Sequence, residues 1–218
     1  MEAVLNEISS AMQAGRAKLV KELIGKAIEE GVAAKDILDK GLFPGMDLVA
    51  VKFKNNEVYV PEVLLAARAM NAGTELLKPY LAEDGAEPVG KALIGTVKGD
   101  MHDIGKNLVR MMLEGKGIKV VDLGVDVPPE KFIEAYKEEK PDIIALSALL
   151  STTMEEMKNT VDAFVNENLR GEVIFMVGGA PVTESYCKSI GADIYAADSA
   201  SAAEAAKQAI LKKRGMDT

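Results

Sequence analysis

Residues 91–213 alternate short apolar runs with amphipathic helical stretches, and this alternation restricts the possible folds more than any other feature of the chain. The apolar runs, which have the length and composition of buried strands, are 91–97, 119–123, 143–147, 173–177 and 193–196. Helical spacing of apolar residues separates them, as at Ile104, Leu108 and Met112, and a last helix is predicted over 199–213. The pattern predicts an α/β fold with a parallel, doubly wound sheet of five strands.

Sheets of this class bind ligands in the loops beyond the carboxyl ends of their strands. The loop after the first predicted strand contains His102, the only histidine of the chain. An imidazole binds a metal through one nitrogen when an acceptor holds the other, and Asp100, two residues earlier in an extended segment, projects to the same side. His102 is therefore a candidate metal ligand with Asp100 as its acceptor. The alternative is that His102 only caps a helix or bonds the loop.

Residues 1–81 show helical periodicity alone, with a buried stripe predicted at Val63, Ala67, Met70 and Leu77. The predicted helices, joined by short connections and with Pro44 interrupting the third, are 3–13, 16–30, 34–53 and 60–80. They predict an all-α four-helix bundle. The polar, glycine-containing stretch 82–90 predicts a boundary near Ala86, which gives a helical domain 1–86 and an α/β domain 87–218.

Composition excludes several classes of function. The net charge is −8, and lysine and arginine are scattered, so we expect no nucleic acid partner. No apolar run approaches the ~20 residues that span a bilayer, and the first residues do not resemble a signal peptide, so we expect no membrane partner and a cytoplasmic location. Cys187 is the only cysteine, which excludes an internal disulfide and a structural zinc site, and it is expected to be a small apolar helix residue.

Three motifs stand in order at predicted strand ends and are expected to converge on one site. They are Asp100-x-His102-x-x-Gly105, Ser147-x-Leu149 and Gly178-Gly179. Together they resemble the Rossmann-like, flavodoxin-like cobalamin-binding domain shared by corrinoid methyltransferases and cobalamin-dependent mutases. The resemblance implies cobalamin bound base-off and His-on: the benzimidazole of the cofactor leaves the cobalt, and His102 replaces it as lower ligand.

The same resemblance assigns roles to individual residues. The implied cofactor-binding residues are Asp100, Met101, His102, Asp103, Ile104, Gly105, Ser147, Leu149, Ser151, Thr153, Gly178, Gly179 and Tyr59. Residues without bulk, such as Gly178 and Gly179, let the backbone approach the nucleotide tail. Thr153 extends a catalytic relay from His102 through Asp100, which couples proton uptake to ligation. Alternatively, Gly178 and Gly179 form an ordinary turn, and Thr153 caps the next helix with Glu156 in a capping box.

The first domain resembles the helical cap of methyl-carrying corrinoid proteins at Gly45, Met46, Phe53 and residues 59–63. In that family the cap shields the upper face of the corrin, and the residue matching Tyr59, usually phenylalanine, contacts it. The alternative is that Tyr59 belongs to the bundle core. Partner exchange requires the cap to swing aside, and the predicted hinge lies around Gly85.

As a whole, the resemblance implies a corrinoid methyl carrier of a methyltransferase system, whose cobalt cycles between Co(I) and methyl-Co(III). A substrate-specific methyltransferase loads the cobalt and a second methyltransferase unloads it, so the chain is expected not to act alone as an enzyme. The alternatives are the cobalamin-binding subunit of a mutase and a cobalamin-sensing regulator. A phosphoacceptor receiver domain has a similar fold, but its third strand ends in aspartate, whereas this one ends in Ser147.

Overall fold

The structure of the protein is a computed structural model that describes residues 2–83 and 87–215, without the side chains of residues 82 and 83. The chain forms two compact units, Met1–Glu87 and Pro88–Thr218. The predicted boundary near Ala86 and the predicted hinge around Gly85 lie outside the described residues. Among the residues that are described, no helix is both long enough and apolar enough to cross a membrane.

The first unit is all-helical, as predicted. Its helices are α1 (Glu2–Gln13), α2 (Ala17–Glu29), α3 (Ala34–Ile37), α4 (Phe43–Lys54) and α5 (Val60–Glu83). Helix α2 packs against α1 and α5, and α1 also packs against α4. The stripe of α5 is buried as predicted, since Val63, Ala67, Met70 and Leu77 are each less than 5% exposed. These side chains supply the core that holds the helices together.

The predicted third helix, 34–53, is not continuous. A π-helical turn, Leu38–Leu42, separates α3 from α4. Pro44 lies in the first turn of α4, where its missing backbone N–H costs little. In the interior of one long α-helix the same proline would leave a carbonyl one turn earlier without its partner and crowd it. The wider turn therefore ends one helix and lets the next begin at a proline-compatible position.

The second unit contains a five-stranded parallel sheet of order β2-β1-β3-β4-β5, which confirms the predicted doubly wound α/β fold. The strands are β1 (Gly90–Thr96), β2 (Ile118–Asp122), β3 (Ile143–Ser147), β4 (Ile174–Gly178) and β5 (Ile194–Tyr195). The helices are α6 (Ile104–Gly115), α7 (Pro129–Glu139), α8 (Met154–Asn166), α9 (Glu184–Ser189) and α10 (Ser199–Lys213). The last strand is shorter than the predicted 193–196.

The core of this unit fixes where a ligand can bind. The central strands are almost wholly apolar and buried, as expected for a sheet covered on both faces. Phe164 packs edge-to-face against Tyr136 and Phe175, with ring centroids 5.5 and 5.1 Å apart. Cys187 is buried in α9, and burial raises the pKa of its thiol. With the strand order observed, the topological switch point lies between β1 and β3, so a ligand site is expected at their carboxyl ends.

Candidate functional site

Asp100 connects the loops that follow β1 and β3. Its side chain is fully buried. Oδ1 accepts a hydrogen bond from the backbone N of His102 (3.1 Å) and lies 2.7 Å from His102 Nδ1. Oδ2 accepts hydrogen bonds from the backbone N of Leu149 (2.7 Å) and from Thr153 Oγ1 (2.8 Å). The structure therefore brings His102, Asp100 and Thr153 together in the order of the predicted relay.

The hydrogen bonds to Asp100 decide its charge. Burial by itself raises the pKa of this carboxyl, but the bonds from Leu149, His102 and Thr153 outweigh burial and hold the pKa well below its usual range. An ionised carboxylate only accepts hydrogen bonds, so the proton between the two side chains belongs to Nδ1 of His102. With the proton on Nδ1, a neutral imidazole has a lone pair on its other nitrogen, Nε2. This is the state of histidine that binds a metal.

The backbone of His102 is also held by a side-chain hydrogen bond. Thr96, buried at the end of β1, donates from Oγ1 to the His102 carbonyl oxygen over 2.8 Å. The His102 side chain is 50% exposed, so its ring is reachable from outside. Asp103, not His102, occupies the N-cap position of α6. The alternative that His102 caps a helix is therefore wrong.

Thr153 occupies the N-cap position of α8, but its side chain does not bond the first turn of that helix. Its hydroxyl lies 2.8 Å from Asp100 Oδ2 and 2.9 Å from the carbonyl oxygen of Leu150, and both of these atoms are acceptors. The capping box with Glu156 is thus not formed. The one proton of the hydroxyl can be donated to the carboxylate or to the loop carbonyl, and the bond to the carboxylate is the contact that the predicted relay requires.

Large apolar side chains around this group are exposed. Met101 and Ile104 flank the His102 loop and are 69% and 70% exposed. Leu149 and Leu150, whose backbone N–H groups bond Asp100, are 42% and 43% exposed. Apolar side chains crowded beside a half-exposed imidazole indicate a surface that a large, flat, partly apolar group covers.

The glycines of the motifs have two different functions. Gly179 has φ of +133°, and a Cβ there would lie 1.8 Å from the carbonyl oxygen of Ala148, so no other residue fits. A Cβ on Gly178, which pairs in register with Ser147, would meet the carbonyl oxygen of Ala196 at 3.2 Å. Gly105, in contrast, faces open space in the first turn of α6, because no atom lies within 4 Å of its Cβ position. Gly178 and Gly179 let neighbouring backbone segments approach closely, and Gly105 leaves open space beside α6.

Replacing Gly179 by alanine is expected to lower the free energy of unfolding by about 1 to 3 kcal/mol, because the backbone must move to relieve the contact with Ala148. Chemical denaturation of the apoprotein measures this loss. Gly105→Ala is the matched control: it meets no atom and lies in a helix, so stability is expected to stay or to rise by up to about 1 kcal/mol. Equal stabilities of the Gly179→Ala protein and the wild type would contradict this account.

The structure places the remaining predicted residues with fewer contacts. Ser147 ends β3 and is partly buried, whereas Ser151 is exposed in the next loop. Asp103 is exposed, and its carboxylate accepts a hydrogen bond from the Asn107 side chain (3.1 Å). Tyr59 belongs to the first unit and is 65% exposed, so the alternative that it belongs to the bundle core is wrong. Its backbone N donates to the Glu62 carboxylate (2.9 Å) at the start of α5.

Sequence reasoning missed residues that support the His102 loop. Thr96 is one of them, and the signal was a polar residue at the end of an otherwise apolar run. Asp126, in the loop after β2, accepts a hydrogen bond from the backbone N of Gly99 over 2.7 Å. Lys106 is buried and paired with Asp122. Ligand sites lie beyond the carboxyl ends of the strands, so the loop after β2 was a candidate, but its sequence contains no recognisable motif.

Comparison with known proteins agrees with both units. A family model described as a B12 binding domain matches residues 90–207, and a second model with the same description matches residues 4–78. Fold and site thus define a B12-binding protein, in which the half-exposed imidazole, the apolar surroundings and the space at Gly105 fit a corrinoid.

Similar proteins narrow this class. The chain is 39% identical to dimethylamine corrinoid protein 3 of Methanosarcina acetivorans, over 97% of this chain and 99% of that protein. It is 42% identical to trimethylamine corrinoid protein 1 of Methanosarcina mazei, over 89% and 91%. A chain in the crystal structure of the methanol:cobalamin methyltransferase complex of Methanosarcina barkeri matches with a TM-score of 0.86 and 31% identity, over 96% of this chain and 80% of that one. The chain belongs to the family of corrinoid proteins, and its cofactor is a corrinoid.

Proposed function

We propose that the protein is a methyl carrier that binds cobalamin base-off and His-on, with His102 Nε2 as the lower ligand of the cobalt. One observation carries the proposal: buried, ionised Asp100 lies 2.7 Å from His102 Nδ1, while the imidazole is half exposed. This arrangement orients the ring and its tautomer and leaves Nε2 of a half-exposed side chain as the nitrogen for a metal. A histidine with only a structural role would not need a half-exposed ring that bonds a buried carboxylate.

The residues of the chain act on binding, orientation and the position of one proton. When bound, the cofactor supplies a cobalt centre that accepts a methyl group from a donor and gives it to an acceptor. Asp100 holds the proton on Nδ1, and Thr153 stabilises the carboxylate that does so. The exposed apolar side chains of Met101, Ile104 and Leu149 would pack against the bound corrinoid and exclude water there. We assign to Gly105 the room that the cofactor occupies beside α6.

Partners follow from the relatives. The printed names of the similar proteins refer to dimethylamine and trimethylamine, and a similar solved structure is a methanol:cobalamin methyltransferase complex. We therefore propose that a substrate-specific methyltransferase for a methylamine or methanol loads the cobalt, and that a second methyltransferase unloads it. That Tyr59 contacts the cofactor stays a prediction from the family resemblance. A cytoplasmic location stays a prediction.

The carrier function is tested by methyl loading. The protein reconstituted with cobalamin and reduced is incubated with a purified dimethylamine, trimethylamine or methanol methyltransferase and its isotopically labelled donor. With the correct partner we expect one labelled methyl group per bound cobalamin. The Asp100→Ala protein is expected to be labelled to a smaller extent. Absence of labelling with every donor, together with preferential binding of adenosylcobalamin, would instead indicate a mutase subunit.

A further inference from the structure

The loop after β2 contacts the His102 loop before the histidine. Asp126 Oδ1 accepts a hydrogen bond from the backbone N of Gly99 over 2.7 Å, and the backbone N of Asp126 donates to the carbonyl oxygen of Asp100 over 3.0 Å. Asp126 itself has φ of +53°, the left-handed conformation that aspartate tolerates better than most residues. Asp126 thus bonds the backbone of two consecutive residues, Gly99 and Asp100, just before His102.

Asp122, at the end of β2, contacts the segment that follows the histidine. Lys106 Nζ lies 2.5 Å from Asp122 Oδ2 and 2.9 Å from Asn107 Oδ1, and the Lys106 side chain is 2% exposed. Asp122 Oδ1 also accepts from the backbone N of Gly124 over 2.9 Å. A buried ammonium in the first turn of a helix is unfavourable both for its desolvation and for the helix dipole. The bonds to Asp122 and Asn107 hold the Lys106 side chain at the end of β2.

Asp126, in the loop after β2, therefore contacts the backbone before His102, and Asp122, the last residue of β2, contacts the start of α6 after it. We propose that Asp126 and the Asp122–Lys106 pair are positioning residues that fix the loop carrying His102 in the geometry for binding cobalt before the cofactor arrives. The proposal rests on the proposed function of His102. Neither carboxylate contacts the imidazole or belongs to the relay, so their effect is exerted through the backbone at Gly99 and Asp100 and through the start of α6.

The physical reason is preorganisation. A surface loop that is ordered only when the cofactor binds loses conformational freedom at that moment and weakens the affinity accordingly. The ring of His102 is held by one carboxylate, whose own backbone is held by Asp126. Loosening that backbone displaces ring and carboxylate together. Supporting contacts of this kind keep a ligand within the narrow geometry that coordination requires.

Variants at Asp126 separate the carboxylate from the backbone conformation. Asp126→Gly keeps the left-handed conformation and the N–H but removes the acceptor for Gly99, whereas Asp126→Asn keeps an acceptor oxygen. Asn168→Gly is the control, because Asn168 is exposed, also left-handed (φ +58°) and follows α8. Affinity for hydroxocobalamin is measured by titration. Ligation is measured by electron paramagnetic resonance of the reduced Co(II) form.

We expect Asp126→Gly to bind hydroxocobalamin about three- to tenfold more weakly, the effect of losing one hydrogen bond, and to show a smaller fraction of histidine-ligated Co(II). Asp126→Asn is expected to restore both quantities, and Asn168→Gly to leave both unchanged. Wild-type affinity and ligation in Asp126→Gly, or no rescue by asparagine, would overturn the positioning role alone. A wild-type protein without histidine ligation would overturn the proposed function and the positioning role with it.

Discussion

Replacing Asp100 by alanine is expected to lower the free energy of unfolding by about 2 to 4 kcal/mol, because a buried donor that loses its acceptor costs about 1 to 3 kcal/mol and Asp100 accepts from several donors. The fully buried carboxylate accepts hydrogen bonds from the backbone of His102 and Leu149 and from the Thr153 hydroxyl. Alanine leaves these donors without an acceptor in the interior. Because the chain lacks tryptophan, unfolding by denaturant is followed by circular dichroism.

Asp103→Ala is the control for this prediction. Asp103 is a neighbouring aspartate, but it is exposed and its carboxylate bonds the side chain of Asn107. Asp103 is the N-cap residue of α6 but its side chain makes no capping bond, so its replacement is expected to lower the free energy of unfolding by no more than about 1 kcal/mol. If both variants lost the same stability, the network around Asp100 would not be the structural link between the loops.

The contribution of Asp100 also depends on pH. Its pKa is lower in the folded than in the unfolded chain, so the ionised carboxylate favours folding. This stabilisation is complete above about pH 4, the ordinary range of an aspartate in an unfolded chain, and is lost as the pH falls through the lower, folded-state pKa. The stability difference between the wild type and Asp100→Asn is therefore expected to stay constant from about pH 7 to pH 5 and to shrink as the pH falls below about 4. A difference that stayed constant below about pH 4 would contradict the assigned charge.

Replacing His102 by alanine is expected to weaken the affinity for hydroxocobalamin by at least about 100-fold, since loss of second-shell partners alone costs up to that factor. The His102 side chain is half exposed, so the free energy of unfolding of the apoprotein should stay within about 1 kcal/mol of the wild type. Affinity is measured by absorbance titration and stability by denaturation. Asn168→Gly, at an exposed residue in the turn after α8, serves as the control and should keep the wild-type affinity.

The opposite pattern would contradict the role of His102 as a cobalt ligand. If His102→Ala unfolded the protein but the remaining folded fraction bound cobalamin normally, the residue would serve the fold and not the cofactor. Asp100 is expected to affect both quantities and His102 only the affinity. The two variants together therefore separate the support of the ligand from the ligand itself.

Sequence patterns predicted the sheet and the central pair of the site because both depend on local periodicity. Apolar runs alternating with helices defined the five strands, and the spacing of two residues put Asp100 and His102 side by side. The π-helical turn before α4 was not predicted as such, since proline marks an interruption without specifying its geometry.

Contacts between distant segments were harder to predict. The bond between Asp100 and Thr153 joins residues 53 positions apart, and only the resemblance to a known family suggested it. The bonds from Gly99 to Asp126 and from Leu149 to Asp100 are donated by backbone N–H groups, which every non-proline residue carries, so the identity of the donor residue gives no signal. Such contacts follow from the register of the strands rather than from motif spacing.

The coordination bond from His102 to cobalt is tested by isotopic labelling. His102 is the only histidine, so growth on ¹⁵N-histidine labels this one imidazole. The labelled protein is reconstituted with ordinary cobalamin and reduced to Co(II) for electron paramagnetic resonance. We expect the nitrogen splitting of the cobalt lines to change from triplets to doublets. Triplets that persist in the labelled protein would show that benzimidazole, and not His102, binds the cobalt.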